Sequence, residues 1–191
     1  IPLDPKTVTA AQRKEALNSL MFLIRKRNGL VKTRNCADGS KQRRRDDYRK
    51  EDNASPTVQN EAVMITCAIN AREGRDTMTL DIPGAFLHAY VDEEIYMLLK
   101  GPLCELTVKV NTEFYQPYVT YDSKGVPMMY VRMNKAMYDL LRSSLLFYKK
   151  LVADLKEIGF KLNPYDPCIA KRMRKGAQQT VAWHVDDLHC S

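Results

Sequence analysis

The sequence predicts an α+β fold. Three stretches, about 9–27, 55–74 and 134–158, carry apolar residues at helical spacing. Between and after them lie short runs of strand-forming residues broken by turn signals. With 191 residues the chain has room for one domain, or one and a half, with a real core.

Thr9 can cap a first helix running to about Arg27, with Leu17, Leu20, Met21 and Ile24 as its apolar stripe and Asn28-Gly29 as its stop. Leu30 to Asn35 reads as a strand, and Asp38-Gly39 as a hairpin turn. Residues 41–53 mix charges without apolar periodicity and read as a mobile loop or fingertip. Ser55-Pro56 then starts a second helix, with Ala62, Ile65 and Ile69 buried and Gly74 ending it. In Thr77 to Ile82, strand alternation puts Met78, Leu80 and Ile82 on the core face, so Thr77, Thr79 and Asp81 take the other. Glu94 to Leu99 and Met128 to Met133 read as strands, with a long irregular connection over 101–127 between them. An amphipathic helix follows from about Asn134 to Ile158, stopped by Gly159. Cys168 to Met173 and Gln179 to Val185 form the last two strands around Lys175-Gly176.

The second of those strands runs into Asp186-Asp187. Two neighbouring aspartates do not fit a strand interior, because one of them would enter the core. A solvated turn and a metal-binding acid pair both account for these residues alone. Asp81 ends another strand on its polar face, so the fold can join it to Asp186 and Asp187 if the strands are neighbours. Carboxylates that close repel one another unless a cation neutralises them. Magnesium, which prefers oxygen ligands and keeps sites open for water and phosphate, is the natural neutraliser, and two such ions suit phosphoryl transfer.

Charge and cysteine usage narrow the class. A net charge of +7 favours an acidic partner, nucleic acid or nucleotide first. No run approaches the roughly eighteen apolar residues of a membrane-spanning helix, and no secretory signal opens the chain. The five scattered cysteines argue against a disulfide framework or a zinc site and fit a reducing, intracellular setting. The chain reads as a fragment cut at both ends, stopping in the turn region after Asp187.

The ordered segments Asp81-Ile82-Pro83-Gly84-Ala85-Phe86-Leu87, Lys135-Ala136-Met137-Tyr138-Asp139-Leu140, Asp166-Pro167-Cys168 and His184-Val185-Asp186-Asp187 resemble the motifs of copia-type (Ty1/copia, Pseudoviridae-like) retrotransposon reverse transcriptases. Val31-Lys32-Thr33-Arg34 and Ser55-Pro56-Thr57-Val58 resemble that family's upstream segments, so the likeness spans roughly 20–191. The resemblance implies the fingers and palm of a right-hand polymerase, with about 1–80 mostly fingers and 81–191 mostly an antiparallel palm sheet backed by helices. Nothing matches a thumb, so the isolated chain is expected to be barely active.

By the same resemblance, Asp81 and Asp186 are the principal ligands of two Mg2+ ions (Mn2+ as substitute) and Asp187 completes the triad. Lys32, Arg34, Gly84, Ala85 and Phe86 would meet the incoming deoxynucleoside triphosphate, Phe86 as the aromatic that blocks a ribose 2′-hydroxyl. Tyr138, Arg142 and His184 would meet template or primer, His184 standing where the family has tyrosine. Arg43, Arg44 and Arg45 are candidates for template phosphates. The partners implied are an RNA or DNA template with primer and the rest of the element's polyprotein (thumb, RNase H, integrase), with no membrane, in a cytoplasmic particle. Asp139 departs from the family, which has glycine there beside the template strand. An added carboxylate would crowd and repel phosphate, leaving a catalytically inactive nucleic-acid-binding remnant as the alternative.

Overall fold

The computed structural model describes residues 1–44, 49 and 53–191. Arg45 and most of the charged segment over 41–53 lie outside them. The fold is α+β with two five-stranded sheets. In chain order the elements are α1 (Ala10–Glu15), β1 (Leu17–Arg25), β2 (Val31–Ala37), α2 (Ser40–Arg43), α3 (Asn60–Glu73), β3 (Met78–Asp81) and β4 (Tyr96–Lys100). They continue with α4 (Pro102–Val110), α5 (Thr112–Tyr115), β5 (Thr120–Tyr121), β6 (Pro127–Arg132), α6 (Ser143–Glu157), β7 (Lys161–Leu162), β8 (Ile169–Arg174), β9 (Ala177–His184) and β10 (Asp187–Cys190). No helix among the described residues is long and apolar enough to cross a membrane.

The chain divides into two compact units, each entered twice. The first comprises Ile1–Arg49 and Tyr90–Ser143, the second Lys50–Ala89 and Ser144–Ser191. In the first unit the sheet order is β2-β1-β4-β6-β5. Its core gathers Leu17, Ile95, Met97, Leu99, Met129 and Leu140 around the fully buried Cys104.

Several elements correct the sequence expectation here. Thr9 does cap a helix, closing a box with Gln12, but that helix is only six residues long and the stripe Leu20, Met21 and Ile24 lies on β1. The Asn28-Gly29 pair is a hairpin turn rather than a helix stop. Gly29 takes φ +82°, and the Lys26 N–H donates to the Leu30 carbonyl at 2.8 Å. A run as apolar as Leu20 to Ile24 satisfies the helical period and the strand equally, and cross-strand pairing with β2 decides it. Asp38-Gly39, read as that hairpin, instead opens α2, with the Asp38 carboxylate accepting from the Ser40 N–H. The connection over 101–127 is not irregular: α4 starts on Pro102 and buries Cys104, and α5 follows at once.

The β5–β6 turn is held by Asp122, whose carboxylate accepts from the Lys124 and Val126 N–H groups and pairs with Lys100 at 2.8 Å. The hydrogen bond from Lys100, then those backbone bonds, hold its acid well down, at about 2. A depressed carboxylate stabilises the fold above its unfolded value near 3.9 and ceases to as pH falls through about 2. Acid unfolding followed by circular dichroism is therefore expected to lose slope between about pH 4 and 2 in Asp122→Asn.

The second unit carries a wholly antiparallel sheet, β3-β10-β9-β8-β7. Trp183 is 2% exposed, its ring tilted 34° against Tyr148 of α6 at 6.3 Å between centres, and Phe147, Leu151 and Leu155 of the same helix are buried. Two helices start later than their sequence spacing implied. α3 is capped at Gln59 rather than Ser55, and it buries Thr66 and Asn70 while Ile65 and Ile69 stay exposed. α6 begins at Ser143 rather than Asn134, because Lys135 and Tyr138 make strand-like bridges to Tyr90 and Cys36 and Asp139 takes φ +67°. Met78 and Leu80 of β3 are exposed rather than in the core, as befits an edge strand. β10 supplies the return strand that the sequence appeared to lack, and it pairs on both sides.

Candidate active site

The acids are placed by β10. Asp187 is the Cα partner of Asp81 on one side and of His184 on the other. Opposed residues in antiparallel strands lie about 4.5–5.5 Å apart at Cα and point to one face. His184, Asp187 and Asp81 therefore form a row across three strands, all three exposed. Alternation explains why they face outward. Leu188 and Trp183, their chain neighbours, are buried on the opposite face, so a one-residue slip would bury the acids and expose the tryptophan.

Asp186 sits differently. It occupies the two-residue turn with Val185, and its carbonyl accepts from the Ile82 N–H at 3.1 Å. That bond ties the turn to the residue after Asp81. Asp187 rather than Asp186 is thus the residue that stands across from Asp81. Val185 takes φ +56°, a left-handed conformation that costs a β-branched residue about 1–2 kcal/mol. Val185→Gly is expected to raise unfolding stability by about 1 kcal/mol in a denaturant titration. No gain would show that the turn is unstrained.

Two carboxylates paired directly across a ladder repel. The donor set is all oxygen and open to solvent, which fits Mg2+ held by one or two carboxylates and completed by water and phosphate oxygens. Among the described residues no group of three or more His, Cys, Asp or Glu is placed to hold a metal ion together. Asp81 and Asp187 would hold the ion. A cavity of about 440 Å³ adjoins the row, lined by Val63, Asp81, His184, Asp187 and His189 among others.

Behind the row, two polar residues that sequence reasoning left without a role support the sheet. Asn70 of α3 places its amide 3.4 Å from the His189 ring, and its Oδ1 is buried with no partner among the described residues. Asp166, 3% exposed, accepts from the Cys168 N–H at 2.8 Å and the Gln59 N–H at 2.9 Å, joining the start of β8 to the start of α3. The Asp166-Pro167-Cys168 motif was the available signal, but its partner is distant in sequence.

The segment after Asp81 turns sharply. Gly84 has φ +62°, which a side chain would strain, Ala85 is buried, and Phe86 is half-buried with its ring edge-on to Phe147 at 6.3 Å. The other predicted residues lie in the first unit. Lys32 and Arg34 share one face of β2, and the Arg34 guanidinium lies 5.2 Å from the centre of the Tyr138 ring. Arg142 is engaged by both oxygens of Asp92 at 2.9 Å, a partner the sequence did not suggest. Asp139 keeps the positive φ that glycine adopts freely, and its carboxylate accepts from the Cys36 thiol. Burial first, then that bond and its charge, push the thiol up to about 11.

Residues 11–191 match the reverse transcriptase (RNA-dependent DNA polymerase) family. The chain belongs to that family. Its copia-type character follows from its likeness to the Transposon Ty1-BL Gag-Pol polyprotein of Saccharomyces cerevisiae, 26% identical over 187 residues. That alignment covers 97% of this chain and 9% of the relative, so the chain spans about a tenth of the polyprotein it matches. Within this reverse transcriptase chain, the hairpin that joins β9 to β10 is the element that sets Asp187 against Asp81.

Proposed function

We propose that the chain is the fingers and palm portion of an RNA-directed DNA polymerase that adds deoxynucleotides to a primer 3′-hydroxyl. The observation that carries the reading is the cross-strand pairing of Asp81 with Asp187 in a member of the reverse transcriptase family. Bound divalent ions would supply charge neutralisation for the attacking and leaving oxygens of the displacement. Asp81 and Asp187 hold their carboxylates on one face of a ladder whose register is pinned by Trp183 and Leu188, so little reorganisation is needed when phosphate arrives. Asp186 completes the acid set from the turn, its backbone fixed to Ile82. His184, in the same row, offers an aromatic ring to the primer end. Lys32 and Arg34 keep the triphosphate role, and Tyr138 and Arg142 the template role, that the family resemblance implies.

Phe86 is the proposed gate against ribonucleotides. Its ring is braced by Phe147, so Phe86→Ala should relax discrimination by about 10- to 100-fold, read as the ratio of kcat/KM for dNTP over rNTP. An unchanged ratio removes the gate role. The reading as a whole is tested by single-nucleotide extension of a primed RNA template with Mg2+ or Mn2+, using the polymerase that carries this chain. Extension that survives loss of both Asp81 and Asp187 carboxylates contradicts it.

A further inference from the structure

We infer a second nucleic-acid contact surface, for a single strand, on the β7–β8 hairpin: Tyr165 as a base-stacking platform, with Lys161 and Lys171 as phosphate contacts. It rests on the nucleic-acid reading above for the nature of its partner, and adds a place that reading does not use. Lys161 and Lys171 are direct Cα partners across β7 and β8, an arrangement of like charges that costs stability unless an anion sits between them. Among the described residues no ion pair engages either of them, nor Arg174 at the end of β8 or Lys175 in the turn that follows it. Arg172, by contrast, is used internally, bonded to Gln179 and the Ile158 carbonyl and stacked on Phe160. The only acid over 159–180 is Asp166, whose two oxygens are spent on backbone N–H groups.

Tyr165 is 90% exposed, one residue before the 3% exposed Asp166. Its loop is built rather than loose. The Asn163 side chain accepts from the Tyr165 N–H at 2.8 Å, the Asn163 N–H donates to Ile169, and Asp166 anchors the far side. An aromatic ring held out by a fixed loop beside lysines that no ion pair among the described residues engages is what stacking on bases and tracking of a phosphate backbone require. Glu61, with Asp166, lines the same depression as Lys171. Lys171 lines both a depression of about 420 Å³ shared with Tyr165 and one of about 490 Å³ shared with Lys161, so the three residues border continuous surface. The cross-strand partner of Lys171, Thr180, lies four residues along β9 from His184, or about 13 Å at strand rise. The surface is therefore separate from the acid row.

The test uses the 191-residue chain, a fluorescent single-stranded 12-mer carrying 5-iodouracil, and neither divalent ion nor nucleotide. Irradiation is expected to cross-link Tyr165. Tyr165→Ala should weaken binding about 5- to 100-fold, with Tyr165→Phe restoring it. Lys161→Gln with Lys171→Gln should reduce the slope of log K against log salt by about 0.7 per lysine. Cross-links confined to other segments, an unchanged salt slope, or a double-lysine variant that loses only its hold on phosphatidylserine-rich vesicles would each overturn the proposal. Primer extension failing while the Tyr165 cross-link persists counts against the polymerase reading alone. A lost cross-link with extension intact counts against this surface alone.

Discussion

Asp187→Asn is expected to lower primer extension by about 10³-fold while leaving the fold at least as stable as the parent. Several kcal/mol of transition-state charge stabilisation pass through the ions that the acid pair would hold, and each 1.36 kcal/mol is a decade in rate. The stability side has the opposite sign. Asp187 and Asp81 are exposed and directly paired like charges, so neutralising one removes a repulsion of about 0.2–1 kcal/mol. The two readouts are single-turnover extension and a thermal midpoint. A large loss of both would mean that Asp187 is structural. A change in neither would mean that the row does no chemistry.

Gly39→Ala is expected to cost about 3 kcal/mol or more, for a reason invisible in its own backbone angles. A Cβ there would lie 2.1 Å from the Asp139 carbonyl oxygen and 3.3 Å from its carbon, and both are main-chain atoms that cannot rotate away. For a chain of this size the thermal midpoint should fall by about 6–12 °C. Gly29→Ala makes the control: nothing lies within 4 Å of its added carbon, so it pays only for φ +82° and should lose about 1 kcal/mol. Equal losses at the two glycines would contradict the close approach of residues 39 and 139.

That approach also changes how Asp139 reads. From sequence it looked like a carboxylate aimed at template phosphate. In the structure it takes φ +67°, a conformation that glycine adopts freely, and gives its side chain to the Cys36 thiol. The motif order and the outward placing of Asp81 were legible because they are local, although Met78 and Leu80, expected on the core face of the same strand, are exposed on an edge. The identity of the acid opposite Asp81 was not, because it depends on the φ of Val185 and on pairing between segments far apart in the chain. The same holds for β1, where Leu17, Leu20, Met21 and Ile24 satisfy a helical period, and only pairing with distant strands, Leu17 with β4 and the others with β2, makes them a strand. Asp92, Gln59 and Asn70 escaped notice for a related reason. Each acquires meaning from one distant partner: Arg142, Asp166 and His189 respectively.

The most direct test of the central claim is paramagnetic broadening by Mn2+ in the nuclear magnetic resonance spectrum of the 191-residue chain. The structure predicts that sub-stoichiometric Mn2+ selectively erases the amide signals of Asp81, Ile82 and His184 to Leu188, and that Asp81→Asn with Asp187→Asn restores them. Broadening centred elsewhere, or unchanged by those substitutions, would contradict the assignment of this hairpin as the metal-binding catalytic element.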